Sequence, residues 1–388
     1  MILGSLLEKR PTSAMVSALF SPLKVGPIEV PNRIAIAPMC QYSAQDGVPT
    51  DWHVMHWMTM AMSGAGLVVI EATGVERHGR ITHGCLGLYS DECEAMIGRY
   101  LAAARRVAPP GTRFSIQLGH AGRKASVQLP WHGGKSLGSS EDPWPTVSAS
   151  AEPFGNGFHV PAALDEQGMA RVRNAFAQAA HRASRIGFDA IELHGAHGYL
   201  MHQFISPVSN HRTDEFGGSF DNRMRFPLSI VKAVRDVVPA SIALGIRMTG
   251  TDWYEGGLGT NDAVAQARAF KRAGMDFACV SGGGSRPDVK VALGPGYQVP
   301  FAEAVKKETG LVTRAVGMIA EPLQAEEIIS TGRADMVAMA RAILDNPRWP
   351  WHAADKLGAT MKLPPQYERS AAKFWPGAKL ARPQTLAA

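Results

Sequence analysis

The segment ARVRNAFAQAAHRASRIGFDAIELHG, residues 170–195, changes its period partway along. Residues 170–185 place small and apolar side chains at helical spacing, and AIELHG (190–195) is a short apolar run of the kind that makes a buried strand. Gly187 stands between them, where a helix C-terminus favours glycine. A helix that stops at glycine and feeds a strand within a few residues is the junction of a repeating α/β unit.

The same junction recurs in both directions. Candidate strands are RIAIAP (33–38), LVVIEAT (67–73), RFSIQLG (113–119), AIELHG (190–195), IALGIRM (242–248), FACVSGG (277–283), VTRAVGM (312–318) and MVAMARA (336–342). Helical periodicity fills most gaps, as at 222–237 and 262–273, and Gly274 and Gly332 repeat the stop signal of Gly187. Eight such units predict a closed (β/α)8 TIM barrel of the α/β class rather than a doubly wound sheet. No GxGxxG follows the first strand, which argues against a dinucleotide-binding fold.

With 45% apolar and 19% charged residues, the 388-residue chain can bury a large core. Its net charge of +6 is scattered, with no basic arm and no aromatic–basic interleaving, so nucleic acid is not an expected partner and small anionic molecules suit it better. Cys40, Cys85, Cys93 and Cys279 form no Cys-x-x-Cys pair, which disfavours a structural zinc, an iron–sulfur cluster and a disulfide framework. No segment reaches the ~20 apolar residues needed to cross a bilayer, and the start of the chain lacks a signal peptide, so a cytoplasmic protein without a membrane partner is expected. The expected organisation is an N-terminal extension (1–20), a barrel (21–355) with a long capping loop (120–165), and a C-terminal tail (356–388).

Barrel enzymes carry their chemistry at the C-terminal ends of the strands. Those ends read Cys40, Ala72, Gln117, His194, Arg247, Ser281, Gly317 and Arg341. They contain no cluster of metal-binding carboxylates, no lysine suited to a Schiff base and no GxSxG elbow, so a cofactor should bring the chemistry. Gly317 and Arg341 close the seventh and eighth strands, where many barrels bind phosphate. Gln117 offers both donor and acceptor to a heteroaromatic ring edge, and Arg247 a fixed cation for negative charge developing on reduction. These parts suit flavin mononucleotide (FMN) across the barrel mouth.

The run HGAHGYL (194–200) admits three readings: a metal site, core histidines, or donors around a substrate oxygen. A metal would want a third ligand that no other strand end evidently supplies, so no metal is expected. Core packing is disfavoured because His194 falls where the fourth strand leaves the barrel, and Gly195 and Gly198 open the turn beyond it.

APMCQY (37–42), IQLGHAGR (116–123), HGAHGYL (194–200) and NHRTDEFGGSFDNRMRF (210–226), in order across residues 18–370, strongly resemble the Old Yellow Enzyme family of FMN-dependent ene-reductases. Cys40 with Tyr42, PGYQVPF (295–301) and QYER (366–369) resemble its thermophilic-like subgroup. The resemblance implies FMN as bound cofactor, NADPH or NADH as reductant, and reduction of activated alkenes (unsaturated carbonyl or nitro compounds). It places Ala37, Pro38, Met39, Cys40, Ala72, Gln117 and Arg247 along the flavin ring and Gly317, Met318, Ala340 and Arg341 at its phosphate. It further implies that His194 and His197 polarise the substrate oxygen, that Tyr199 protonates the α-carbon, and that Cys40 tunes the flavin. Tyr42 would contact substrate, and Arg369 would reach a neighbouring subunit's site, giving a dimer or tetramer. Two departures stand out: Ala340 replaces a glycine usual in the family, and the tail continues past QYER through Trp375. The alternative function is a non-catalytic flavin carrier or sensor.

Overall fold

A computed structural model describes residues 17–381. Eight parallel strands close a barrel: β1 (Ile34–Ile36), β2 (Leu67–Gly74), β3 (Arg113–Gly119), β4 (Ala190–Gly195), β5 (Ala243–Thr249), β6 (Phe277–Ser281), β7 (Val312–Ala315) and β8 (Met336–Met339). Each pairs with its sequence neighbours, and β8 returns to β1 through Val337–Ile34 and Met339–Ile36. Eight helices alternate with them: α1 (Asp51–Ala61), α2 (Asp91–Val107), α3 (Glu166–Ile186), α4 (Phe220–Val237), α5 (Thr260–Arg272), α6 (Val299–Thr309), α7 (Pro322–Ser330) and α8 (Trp349–Leu357). All eight expected strands are present, but several end earlier than the apolar pattern suggests. Strand β7 stops before Gly317 and Met318, whose φ values of 109° and 50° cannot continue a strand. Strand β8 stops at Met339 because Arg341 begins a short helix, Arg341–Asp345.

Alternation along the strands divides the apolar residues into two cores. Ala35, Leu67, Val69, Ala190, Ala243, Phe277, Met336 and Ala338 fill the barrel interior, joined by Val25, Ile28 and Val30 of an antiparallel hairpin. Ile34, Val68, Ile70, Phe114, Ile116, Ile191, Leu193, Leu244 and Ile246 pack outward against the helices. One irregularity interrupts the alternation: β2 pairs Ile70 with Ile116 but Ala72 with Gln117, which leaves Glu71 as an extra residue in a bulge.

Helix α3 starts at Asp165, whose carboxylate accepts the Gly168 N–H at 2.7 Å, and ends at Gly187, φ 94°. The loop 120–165 contains a two-strand pair, Val147–Ser148 with Ala162–Ala163, and 196–221 contains the short helix Leu200–Ile205. Most of the expected N-terminal extension (1–20) and the last residues of the tail (382–388) lie outside the described residues. Residues 17–19 are held to α7 by Glu326, which accepts from Ser17 Oγ and the N–H groups of Ala18 and Leu19. Among the described residues no helix is long and apolar enough to cross a membrane.

Candidate active site

The loop after β4 is held from every side. His197 has φ 58°, a left-handed conformation uncommon outside glycine. Its carbonyl accepts from Lys124 Nζ at 2.8 Å, and the same ammonium donates to the Gly284 carbonyl at 3.0 Å. Gly198 follows with φ 72°, and a Cβ there would run into the Gly284 carbonyl. The Gly198 N–H donates to His202 Nδ1 at 2.7 Å, and its carbonyl accepts from Gln203 Nε2 at 2.7 Å. With Nδ1 occupied, His202 Nε2 carries the proton and faces Asp252 Oδ1 at 3.0 Å. Lys124, Gly284 and the helix carrying His202 and Gln203 thus fix one turn, with Asp252 behind His202.

This turn brings the three expected residues together. His194 Nε2 and His197 Nδ1 lie 3.3 Å apart, and the Tyr199 ring stands edge-on to His194 with centroids 4.6 Å apart. Burial, reinforced by the Arg247 cation, pushes both imidazoles well below their ordinary pKa, so both are neutral at pH 7. Burial likewise drives the Tyr199 phenol up, with Cys40 and Tyr42 adding to it, so Tyr199 keeps its proton. Lys124 stands 5.2 Å from the Tyr199 ring centroid and 4.5 Å from that of Phe154, which the capping loop supplies. Burial lowers this lysine to about 8, so it is cationic at neutral pH. Among the described residues no group of three or more His, Cys, Asp or Glu is placed to hold a metal ion. His197 Nε2 bonds Ser281 Oγ at 2.8 Å instead.

The other strand ends surround this cluster. Gln117 is buried and donates its Nε2 to Glu192 Oε1 at 2.7 Å, which leaves its carbonyl oxygen available as an acceptor. Glu192 in turn pairs with Arg314, itself buried in the barrel interior. Arg247 has a buried Nε without a partner among the described residues. Across the mouth, Ala37 donates its N–H to Met339 O at 2.9 Å, and Pro38, Met39 and Cys40 are partly exposed. The bulge turns Ala72 to the level of Gln117, while Glu71 accepts the Gln41 N–H at 3.0 Å. Burial raises the Cys40 thiol well above its usual pKa, with Cys85 and Glu71 contributing, so it is a neutral thiol. Tyr42 packs edge-on against Trp131 of the capping loop, with centroids 6.0 Å apart.

Beyond β7 and β8 lies the cradle expected to take the phosphate. Gly317 and Met318 both have positive φ, and a Cβ at Gly317 would come within 3.1 Å of Gln298 and Tyr297. Ala340, φ −112°, precedes the short helix that Arg341 begins, and the Arg341 side chain is exposed. A negative φ there does not call for glycine. An orphaned buried Arg247 Nε, a Gln117 acceptor, small residues at 37 and 72, and this cradle fit the ring and phosphate of FMN. Arg369 behaves differently: it lies exposed in the turn Pro365–Ser370, and among the described residues no hydrogen bond or ion pair links it to this cluster.

Sequence reasoning overlooked Lys124, Gln298, Glu192 and Arg314. Lys124 follows the HAGR motif directly, and Glu192 sits inside AIELHG, but nothing in one sequence shows that the first reaches His197 or that the second meets Arg314.

The NADH:flavin oxidoreductase / NADH oxidase family matches residues 18–359. An NADPH dehydrogenase of Geobacillus sp. (strain WCH70) is 41% identical over 357 residues, covering 92% of this chain and 99% of the relative. Morphinone reductase superposes with a TM-score of 0.72 at 28% identity, covering 92% of this chain and 94% of its own. A 2-naphthoyl-CoA reductase structure matches with a TM-score of 0.78 and 24% identity; this chain covers 52% of it, and the likeness concerns the fold alone. The chain therefore belongs to the NADH:flavin oxidoreductase / NADH oxidase family, as an NAD(P)H-dependent FMN enzyme of the Old Yellow Enzyme type.

Proposed function

We propose that this oxidoreductase reduces activated C=C bonds in α,β-unsaturated carbonyl and nitro compounds. The observation that carries the reading is the pair His194 Nε2 and His197 Nδ1, side by side at 3.3 Å, with Tyr199 edge-on to the first ring. FMN, when bound, supplies to the β-carbon of the alkene a hydride taken from NADPH or NADH. The two neutral imidazoles are suited to donate N–H bonds to one substrate oxygen, drawing electron density from the β-carbon in the manner of an oxyanion hole. Tyr199 holds the proton destined for the α-carbon, and its buried, protonated phenol acts as the general acid.

Around the cofactor, Arg247 and Gln117 would meet the polar edge of the ring, with Ala37, Pro38, Met39, Cys40 and Ala72 lining it. Gly317, Met318, Ala340 and Arg341 would hold the phosphate, and Tyr42 would contact the substrate. Arg369, exposed on the tail, is proposed to enter the site of a second subunit in a cytoplasmic dimer or tetramer. Family membership sets aside the non-catalytic carrier as the whole account.

The test is anaerobic bleaching of the FMN-loaded protein with each nicotinamide, followed by 2-cyclohexenone, a maleimide and a nitroalkene. Reoxidation of the flavin with formation of the saturated product is expected. Bleaching without reoxidation by any of the three would overturn the alkene assignment.

A further inference from the structure

The side chains behind His197 form a directed chain of hydrogen bonds that the reduction chemistry leaves unexplained. His194 Nδ1 accepts the Ala196 N–H at 3.3 Å, so the neutral His194 ring carries its proton on Nε2, beside His197 Nδ1. His197 Nε2 lies 2.8 Å from Ser281 Oγ, and Ser281 Oγ donates to Gln298 Oε1 at 3.1 Å. Read in that direction, Ser281 has spent its proton on Gln298 and must accept from His197 Nε2–H. His197 Nδ1 is then a lone pair, satisfied by His194. In this state only His194 has an N–H to offer a substrate oxygen between the two rings.

The second donor exists only when His197 carries its proton on Nδ1. That form requires Ser281 to donate to Nε2, and Ser281 can do so when Gln298 presents its amide N–H rather than its carbonyl. The reversal breaks no other bond of the glutamine: among the described residues the Gln298 amide nitrogen has no acceptor to lose. Gln298 is itself held at the start of α6, where its side chain packs against Gly317. We propose that Ser281 and Gln298 are positioning residues that decide which nitrogen of His197 bears the proton, and with it whether a substrate oxygen meets one donor or two. The proton count is unchanged in the exchange: the ring gives its Nε2 proton to solvent water and takes one at Nδ1, while the serine hydroxyl and the amide rotate. Resting enzyme keeps the chain self-satisfied, and an oxygen acceptor reverses it. The inference rests on the two-donor reading of His194 and His197.

The experiment uses FMN-loaded protein and 4-hydroxybenzaldehyde as the oxygen-acceptor probe, followed through the visible flavin band. Alongside it, NMR of histidine-15N-labelled protein reports which nitrogen of His197 is protonated, with the resonances assigned by comparison with His197→Asn. Wild type is expected to shift His197 from the Nε2–H to the Nδ1–H form on binding. Ser281→Ala removes the hydroxyl that holds Nε2 in either form and should weaken the probe by about tenfold, the size of one net hydrogen bond, with a smaller change of His197 tautomer on binding than in wild type. Ser281→Thr, which keeps a hydroxyl, should restore both readouts. Gln298→Leu leaves the serine proton no other acceptor, so His197 should be Nδ1–H even without probe, with binding unchanged or tighter. A His197 tautomer that is the same in wild type, Ser281→Ala and Gln298→Leu would overturn the relay while leaving the alkene reading intact. Failure of the probe to perturb the wild-type flavin at all would instead remove the two-donor cradle, and the relay with it.

Discussion

Lys124 Nζ donates to the carbonyl oxygen of His197 at 2.8 Å while standing 5.2 Å from the centroid of the Tyr199 ring. One ammonium therefore serves two residues of the proposed site. It anchors a carbonyl in a left-handed turn, and it places positive charge beside a phenol that would turn negative on giving up its proton.

Replacing this lysine should be felt in both ways. Lys124→Met is expected to weaken 4-hydroxybenzaldehyde by about tenfold, the loss of one charge-assisted hydrogen bond, as measured by flavin titration. Burial holds Lys124 down at about 8, below its ordinary 10.5, so its cation is present below pH 8 and lost above it. The rate of flavin reoxidation by cyclohexenone in wild type should fall as pH rises through 8. In Lys124→Met that inflection should be absent; its persistence would assign it to another group.

Tyr199→Phe keeps the ring against His194 and removes only the proton. General acids contribute ~10²–10⁴-fold, so stopped-flow reoxidation by an enone should slow by at least about 10²-fold. Reduction of the flavin by NADPH should change far less. Equal slowing of both half-reactions would argue against the acid role.

The two small residues at the anion cradle should respond unequally. Gly317 has φ 109° and lies where a Cβ meets Gln298 and Tyr297 at 3.1 Å, so Gly317→Ala is strained in both conformation and space. FMN affinity should fall by about tenfold or more, a cost of one to a few kcal/mol for a non-glycine residue held in such a region. Ala340 has a negative φ, −112°, and so no left-handed conformation that favours glycine; Ala340→Gly should move FMN affinity little. Fluorescence titration of the apoprotein with FMN separates the two.

Inside the barrel, Glu192 accepts from both Gln117 and Arg314. Glu192→Gln strands a buried guanidinium whose Nε and one terminal nitrogen already lack partners among the described residues. Breaking a buried pair from one side costs ~3–5 kcal/mol, which thermal or urea unfolding would detect. The double variant Glu192→Gln/Arg314→Met removes both charges and should recover much of that loss.

The fold was legible because each barrel strand and its following helix carry their own local periodicity. AIELHG after Gly187 reads as a strand whatever the rest of the chain does. The strand ends were less legible, since Gly317 and Met318 leave β7 through backbone angles that hydropathy does not encode. His194, His197 and Tyr199 were legible together because they share one turn. Lys124 reaches that turn directly, and Gln298 through Ser281, from positions distant in sequence, and only the closed barrel brings them there.

The bulge in β2 has a consequence for charge at the mouth of the barrel. Strict alternation from Leu67 and Val69 would carry residue 71, a glutamate, to the inward level of Gln117. The extra residue changes the parity, so a methyl group takes that place and the carboxylate instead accepts the Gln41 main-chain N–H. Deleting one residue from this strand would exchange the two. It would replace the Ala72 methyl with a fixed anion beside the proposed flavin ring, and so should make the cofactor harder to reduce.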